Sequence, residues 1–174
     1  MASELIVQNL KGPASGSNAN KIIVPSGHTL SAAGHVVQVT YSHSTGGSST
    51  VTTVTNANAD TATGFYAEIT PTSTDSKILV MLTSNLQHTG SSNQGIIWGM
   101  RRGTTPIARN GGTDYIEYTN TDNNFHTTVN LQYVDAPASI STLRYELYLS
   151  NYGGGSSMVR NWGTTNIVLM EIAQ

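Results

Sequence analysis

The stretch that decides the fold is Leu143-Arg144-Tyr145-Glu146-Leu147-Tyr148-Leu149. An apolar or aromatic residue stands at every second position, with Arg144, Glu146 and Tyr148 between them. Successive side chains of a β-strand point to opposite faces, so this alternation predicts a strand with one face toward a core. The run Val129-Asn130-Leu131-Gln132-Tyr133 alternates in the same way. The two runs together predict paired strands over a common core.

Further strand signals lie on both sides of these runs. Short β-favouring segments occur at residues 36–41, 50–55, 65–70, 78–82, 96–100, 115–118 and 166–172, and turns rich in Gly, Asn and Pro separate them. No window of the chain shows a helical stripe of useful length. Regular short strands with turn signals are typical of antiparallel sandwiches. We therefore predict an all-β fold, an antiparallel jelly-roll-like sandwich preceded by a short extended N-terminal segment.

One strand signal does not alternate. It is the continuous apolar run Ile78-Leu79-Val80-Met81-Leu82. Strands that are covered on both faces have this composition, whereas one face of an outer strand in a lone sandwich would be wet. We therefore predict that these five residues contribute to the subunit interface of a homotrimer.

The composition limits the classes of partner. Asp, Glu, Lys and Arg make up 10% of the residues, against about 25% in an ordinary soluble domain, and the net charge is −2. This charge gives no electrostatic reason to bind nucleic acid. No apolar stretch approaches the ~20 residues of a membrane span, so we expect no membrane insertion. The sequence contains no Cys, which excludes disulfides and thiol chemistry.

The first forty residues differ from the rest of the chain. Residues 12–20 have the composition of a linker, and residues 21–30 predict a strand–turn–strand around Pro25-Ser26-Gly27. Met1–Val7 lacks the basic flank of a secretory signal. The segment is too short to give its own apolar residues a surface to pack against, so we expect them to dock on another protein. We predict an attachment segment at residues 1–40 and a β-sandwich head at residues 41–174. The residues predicted to bind the attachment partner are Leu5, Ile6, Val7 and Leu10.

The residue patterns of common catalytic sites are missing from the sequence. No Ser stands in a Gly-x-Ser-x-Gly pattern, and Gly153-Gly154-Gly155 is not followed by the Lys of a phosphate-binding loop. The five histidines have no metal-ligand spacing. We therefore expect no enzymatic activity, no cofactor and no metal site. A metal site formed between subunits stays open as an alternative, because a threefold axis could bring three copies of His28 together.

Several aromatic residues stand near Gly- and Asn-rich turns. A ring beside amides and carboxylates suits sugar recognition, because the ring stacks and the polar groups bind hydroxyls. The other interpretation is that these rings are core or turn anchors. The residues predicted as candidates for contact with a host-surface glycan are Tyr115, Tyr118, Tyr152 and Trp162.

Five segments carry a resemblance to a known group of proteins. They are Pro71-Thr72-Ser73-Thr74-Asp75-Ser76-Lys77-Ile78-Leu79-Val80, Met100-Arg101-Arg102-Gly103-Thr104-Thr105-Pro106-Ile107, Leu131-Gln132-Tyr133-Val134-Asp135-Ala136-Pro137-Ala138, Leu143-Arg144-Tyr145 and Asn166-Ile167-Val168-Leu169-Met170-Glu171-Ile172. In order and spacing, this set resembles a C-terminal domain of tail-fibre and other virion proteins of marine bacteriophages, especially those that infect cyanobacteria. The run Ile22-Ile23-Val24-Pro25-Ser26-Gly27-His28-Thr29-Leu30 is similar to strand–turn units that precede such domains.

The resemblance implies a homotrimeric virion component with a jelly-roll-like head, assembled in the host cytoplasm and bound to other tail or capsid proteins. The chain lacks the long shaft and large tail-binding domain of long fibres, so tail-fibre tip, capsid decoration and tail connector remain alternatives. A second class of function is a carbohydrate-binding, lectin-like module. A third is a small jelly-roll enzyme, for which the sequence lacks a His-rich metal set.

Overall fold

The computed structural model of the chain describes residues 11–19, 21–24, 32–45, 61–89, 94–109, 117–119, 124–152 and 158–174. These residues form nine strands and no helix. The strands are β1 (Val36–Thr45), β2 (Thr61–Ile69), β3 (Lys77–Thr89), β4 (Gln94–Arg102), β5 (Thr105–Arg109), β6 (Glu117–Thr119), β7 (Phe125–Asp135), β8 (Leu143–Tyr152) and β9 (Met158–Ile172). Within this part of the chain, no helix is long and apolar enough to cross a membrane.

The strands form two antiparallel sheets. Sheet A has the order β1-β9-β3-β7, and sheet B has the order β2-β8-β4-β5 with β6 paired to β4. The chain passes to the other sheet after β1, β2 and β3, and again after β6, β7 and β8. With the short strand β6 set aside, this interleaving of two four-stranded sheets is the double Greek key of a jelly roll. The predicted fold class is therefore confirmed.

The core lies between the sheets and follows the alternation seen in the sequence. Tyr145, Leu147 and Leu149 of β8 have no exposed surface, and Val129 of β7 is 4% exposed. The buried cluster also contains Phe65, Ala67, Ile69, Ile78, Val80, Leu82, Leu86, Ile96, Trp98, Met100, Ile167 and Leu169. Full burial of one Leu or Ile side chain stabilises the fold by about 1.5–3 kcal/mol. The inward face of β8 is thus the one that the sequence predicted.

The opposite face of β8 is also covered. Glu146 is 6% exposed and Tyr148 has no exposed surface. The Tyr148 ring lies over Gly99 of the neighbouring strand β4, where any Cβ would clash with it, and its hydroxyl donates to the Ala108 carbonyl at 3.3 Å. A glycine at position 99 is therefore required for Tyr148 to lie flat on sheet B.

The compact units of the chain divide earlier than the predicted boundary at residue 40. One unit is Met1–Ala32 and the other is Ala33–Gln174. The reason is that β1 pairs with β9 along its whole length. The pairing is extended by backbone hydrogen bonds that Gly34 donates to Ala173 at 2.7 Å and Ala173 donates to His35 at 3.0 Å. Residues 33–40 are therefore part of the sandwich.

The described part of the first unit is a turn. Ala19 donates a backbone hydrogen bond to Gly16 and Lys21 donates one to Asn18, both at 3.1 Å. Residues 21–24 are irregular rather than the predicted strand, and Ile22 and Ile23 are more than half exposed. Residues 25–31, which include His28, lie outside the described residues.

Glu171 near the end of β9 joins three parts of the sandwich. Its carboxylate accepts hydrogen bonds from Gln38 Nε2 at 2.6 Å and from both the backbone N–H and the hydroxyl of Thr72 at 2.7 Å. Burial acts to raise the pKa of this carboxyl, but the hydrogen bonds from Gln38, Thr72 and Ser76 outweigh burial and lower the pKa. The ionised form is thus the one that the fold stabilises.

This pKa gives the first prediction. A carboxyl whose pKa is lower in the folded state contributes stability above its unfolded pKa of about 4.3, and this contribution is lost as the pH falls through the folded value. We expect Glu171→Gln to lower the melting temperature at pH 7 and to reduce the difference from the wild type below pH 4. Thermal melts at pH 7, 5 and 3 measure this, with Glu68→Gln on the exposed face of β2 as the matched control. A constant difference between Glu171→Gln and the wild type across this range would contradict the assignment.

Candidate interaction surface on the outer face of sheet A

Strand β3 divides the predicted interface residues into two groups. Ile78, Val80 and Leu82 are at most 2% exposed and lie in the core of the chain itself. They are therefore not available to a second subunit, because sheet B already covers them. Leu79 and Met81 are half-buried and point to the opposite face. We call this opposite side of sheet A the outer face.

The strand register brings other apolar residues beside these two. Leu79 lies between Val134 of β7 and Met170 of β9, and Met170 pairs with Val39 of β1. In the next row, Met81 pairs with Val168, and Val168 pairs with Tyr41. We call the resulting surface the apolar patch; its members are Val39, Tyr41, Leu79, Met81, Val134, Val168 and Met170.

The apolar patch is open to solvent in the single chain. Tyr41 is 75% exposed, Val134 is 54% exposed and Val39 is 50% exposed. Scattered exposed apolar residues are ordinary, but contiguous ones across four strands mark surfaces that another molecule covers. Residues Val36 and Ile172, paired at the end of β1 and β9, extend the patch toward the chain end.

A polar row borders the apolar patch. In the register of sheet A, His43 pairs with Asn166, Asn166 pairs with Thr83, and Thr83 pairs with Asn130. The His43 ring nitrogen Nδ1 hydrogen-bonds to Asn166 Oδ1, and the Thr83 hydroxyl donates to Asn130 Oδ1 at 2.9 Å. We call these four residues the polar strip. The outer face thus changes from apolar to uncharged polar along the strands.

Beyond the polar strip, an irregularity in β9 opens a cavity. Residues 162–164 of β9 lie opposite the single residue Asn85 of β3, because Ser84 pairs with Thr165 and Leu86 pairs with Asn161. Gly163 has a φ of +87°, a conformation that favours glycine. The cavity has a volume of ≈ 450 Å³ and is lined by Asn85, His126, Thr127, Thr128 and Gly163.

Three buried or nearly buried carboxylates are held by partners within the chain. Asp135 accepts from Arg102 Nη1 at 2.5 Å and from the Tyr145 hydroxyl at 2.7 Å. Burial and the Asp135 carboxylate raise the pKa of Tyr145, so its hydroxyl stays protonated and donates. The other two carboxylates are Glu171 and Glu146. The contacts of Asp135 link sheet A to Arg102 and Tyr145 of sheet B.

Glu146 holds two arginines on the outer side of sheet B. It accepts from the backbone N–H of Gly64 at 2.9 Å and from Arg144 Nε at 3.2 Å, and it lies 3.7 Å from Arg101 Nη2. The Arg144 guanidinium stacks over the Tyr66 ring at 3.5 Å from its centroid. Because both guanidinium groups face one carboxylate, this cluster is a packed ion network.

The residues predicted for glycan contact fall in different places. Tyr118 of β6 and Tyr152 of β8 both pair with Gly95 of β4, one on each side, so sheet B brings these two positions together. Trp162 belongs to β9 in sheet A. Tyr152 is half-buried. Tyr115 and the predicted attachment residues Leu5, Ile6, Val7 and Leu10 lie outside the described residues.

The described residues contain no group of three His, Asp or Glu side chains that could hold a metal ion. The cavity and the polar strip were not predicted from the sequence. Their only sequence signal is the number of Asn and Thr residues on β3, β7 and β9, because the irregularity that joins them is set by strand pairing.

No family model and no curated protein sequence matches the chain. A chain in a structure of infectious bursal disease virus Gx strain aligns with 79% of this chain at 11% identity and a TM-score of 0.41, and one from the Gt strain aligns with 88% at 12% identity and a TM-score of 0.34. This chain covers 33% and 42% of their respective lengths. At such TM-scores the likeness carries no functional conclusion.

Proposed function

We propose that the protein is a structural component of a bacteriophage virion, a homotrimer that is attached through its N-terminal segment and displays its β-sandwich head toward the host surface. In this proposal the protein has no enzymatic activity, and its partners are two further copies of itself and proteins of the tail or capsid. In this proposal the protein is located in the virion.

The apolar patch is the observation that carries this proposal. Leu79 and Met81 of the inner strand β3 lie in its centre. Exposure of the neighbouring Val39, Tyr41 and Val134 to solvent is unfavourable in an isolated chain. Association of identical subunits in closed symmetry buries the same patch in every copy. The low charge of the chain also favours such packing, because neighbouring copies repel each other weakly.

The virion role and the number of subunits rest on the resemblance of five sequence segments to trimeric phage fibre domains. The jelly roll is compatible with this role, although the same architecture also serves lectins, and a fold alone does not determine a function. A free lectin-like module is therefore the alternative. It predicts a monomer or dimer and binding to sugars without binding to virion proteins.

The molar mass in solution tests the trimer. We expect three times the chain mass of 18.5 kDa for the full chain at micromolar concentration. Light scattering behind a size-exclusion column measures the mass independently of shape. A chain that stays monomeric throughout the accessible concentration range would contradict the proposal.

Removal of the N-terminal segment tests the attachment. A chain that begins at Ala33 keeps the backbone hydrogen bonds of Gly34 and His35 to Ala173, so we expect it to melt cooperatively and to form trimers. We expect it to fail to join particles that lack the native protein, because the docking peptide is gone. Loss of three docking peptides per trimer removes their avidity as well. Incorporation equal to that of the full chain would place attachment in the head.

A further inference from the structure

We propose that the cavity beside the polar strip binds an uncharged oligosaccharide. The binding residues are Asn85, His126, Thr128 and the backbone at Gly163, and the polar strip continues the site along the outer face. This inference rests on the proposed function, since it names the ligand class that a head directed toward a host surface would contact.

The cavity is a product of the backbone and has a defined shape. The irregularity leaves residues 162–164 of β9 opposite the single residue Asn85, and Gly163, with a φ of +87°, places no side chain on the floor of the cavity. A Cβ at this position would lie 3.2 Å from Asn85 Nδ2. The volume of ≈ 450 Å³ lies within the range of about 300–1,000 Å³ that is usual for small-ligand sites.

Internal contacts orient the polar groups of the cavity. The Thr128 hydroxyl donates to Asn85 Oδ1 at 2.7 Å. This hydrogen bond occupies the amide oxygen and fixes the orientation of the Asn85 amide, whose Nδ2 leans over Gly163. Thr128 and His126 are exposed and lie on the same face of β7. A preoriented amide costs less entropy on binding than a mobile one.

The chemistry of the lining favours a neutral polyhydroxylated ligand. Amide, hydroxyl and imidazole groups can each donate or accept a hydrogen bond, which matches the mixed donor and acceptor character of sugar hydroxyls. None of the described residues that line the cavity carries a carboxylate, an ammonium or a guanidinium group. An anionic ligand would therefore lose hydration without gaining a paired charge there.

The polar strip gives the site length. Four strands separated by about 4.8 Å place His43, Asn166, Thr83 and Asn130 in a row roughly 14 Å long. Thr83 and Asn130 lie two residues from Asn85 and Thr128 on the same face. Because hydroxyl and amide groups continue beyond the cavity, the site fits several linked sugar units better than a single one.

The first experiment measures binding by the full-length chain. Isothermal titration is carried out with the neutral probes maltotriose, cellotriose and N-acetylchitotriose, and with sialyllactose and a hyaluronan hexasaccharide as anionic probes. We expect at least one neutral probe to bind with a Kd of roughly 1 mM or tighter. Absence of neutral binding, or binding of the anionic probes alone, would overturn the proposal.

The second experiment locates the site with one pair of matched variants. Asn85→Asp keeps the size of the side chain and the acceptor for Thr128 but removes the donor Nδ2. Gln174→Glu makes the same amide-to-carboxylate change on an exposed residue beyond the end of β9 that is far from Gly163. We expect Asn85→Asp to weaken binding about tenfold or more and Gln174→Glu to change it less than about twofold.

Side-chain amide resonances provide a readout that folding alone does not move. The Asn85 amide signal, assigned by its loss in Asn85→Asp, is expected to shift on titration with the neutral probe that binds. An unshifted signal, or equal loss of binding in both variants, would overturn the assignment of the site. The subunit mass remains a separate measurement. A trimer without sugar binding refutes this inference alone, whereas a sugar-binding monomer refutes the proposed trimer.

Discussion

Leu79→Asp is expected to convert the proposed trimer into folded monomers. Leu79 lies between Val134 and Met170 in the middle of the apolar patch, so the substitution would bury one unpaired carboxylate in every subunit contact. An unpaired buried charge costs at least ~3 kcal/mol, which weakens association on the order of 100-fold per contact. Light scattering over a concentration series measures the change.

Two further variants separate loss of assembly from loss of fold. Thr83→Asp introduces the same charge on the same face of β3, four residues away in the polar strip, and is expected to remain trimeric. Val134→Asp replaces a residue that is 54% exposed in the single chain, so it is expected to leave the sandwich intact and still reduce assembly. If the Leu79→Asp chain is folded and keeps the mass of a trimer, the apolar patch is not the interface between subunits.

Asp135→Ala is expected to lower the free energy of unfolding more than the other substitutions do, and to leave the outer face of sheet A unchanged. Asp135 ends β7 in sheet A and binds Arg102 of β4 and Tyr145 of β8 in sheet B. Its removal leaves a guanidinium and a buried phenol without their acceptor. The loss for a fully buried pair is about 3–5 kcal/mol, and because Arg102 is partly exposed, the expected loss is ~3 kcal/mol.

Thermal melting at a fixed chain concentration measures this loss. For a chain of this size, a loss of ~3 kcal/mol corresponds to a fall in Tm of roughly 6–12 °C. Asp75→Ala in the exposed turn before β3 is the matched control, with an expected change below about 0.5 kcal/mol. Tyr145→Phe removes one hydroxyl and is expected to lose about 1 kcal/mol. Similar melting of the Asp135 and Asp75 variants would show that the contact between sheets contributes little.

The alternating strands made the fold predictable from the sequence. The inward residues Tyr145, Leu147 and Leu149 and the inward residue Val129 were identified from their spacing alone, because a half-buried strand has to alternate. The burial of Tyr148 and Glu146 on the opposite face could not be predicted in this way. It depends on Gly99 in a neighbouring strand and on arginines that reach Glu146 from β4 and β8.

The run from Ile78 to Leu82 was interpreted as a single interface, and the structure divides it by parity. Ile78, Val80 and Leu82 fill the core, whereas Leu79 and Met81 face outward. A continuous apolar run indicates that both faces of the strand are covered. It does not indicate whether the other sheet of the same chain or a second subunit covers each face. The cavity was not predictable, because it depends on three residues of β9 lying opposite Asn85. Such a register appears only when distant segments pair.

The position of β9 in sheet A has a consequence for synthesis of the protein. Strand β9 lies between β1 and β3, so these two strands lack their common neighbour until residues 158–172 have been synthesised. We expect sheet A to form only after β9 has been synthesised, at a pace set by contacts between distant segments. The apolar patch takes Val168 and Met170 from β9 and Leu79 and Met81 from β3. A chain that ends before β9 therefore lacks two of the seven residues of the apolar patch and the strand that joins β1 to β3, so we expect it not to assemble.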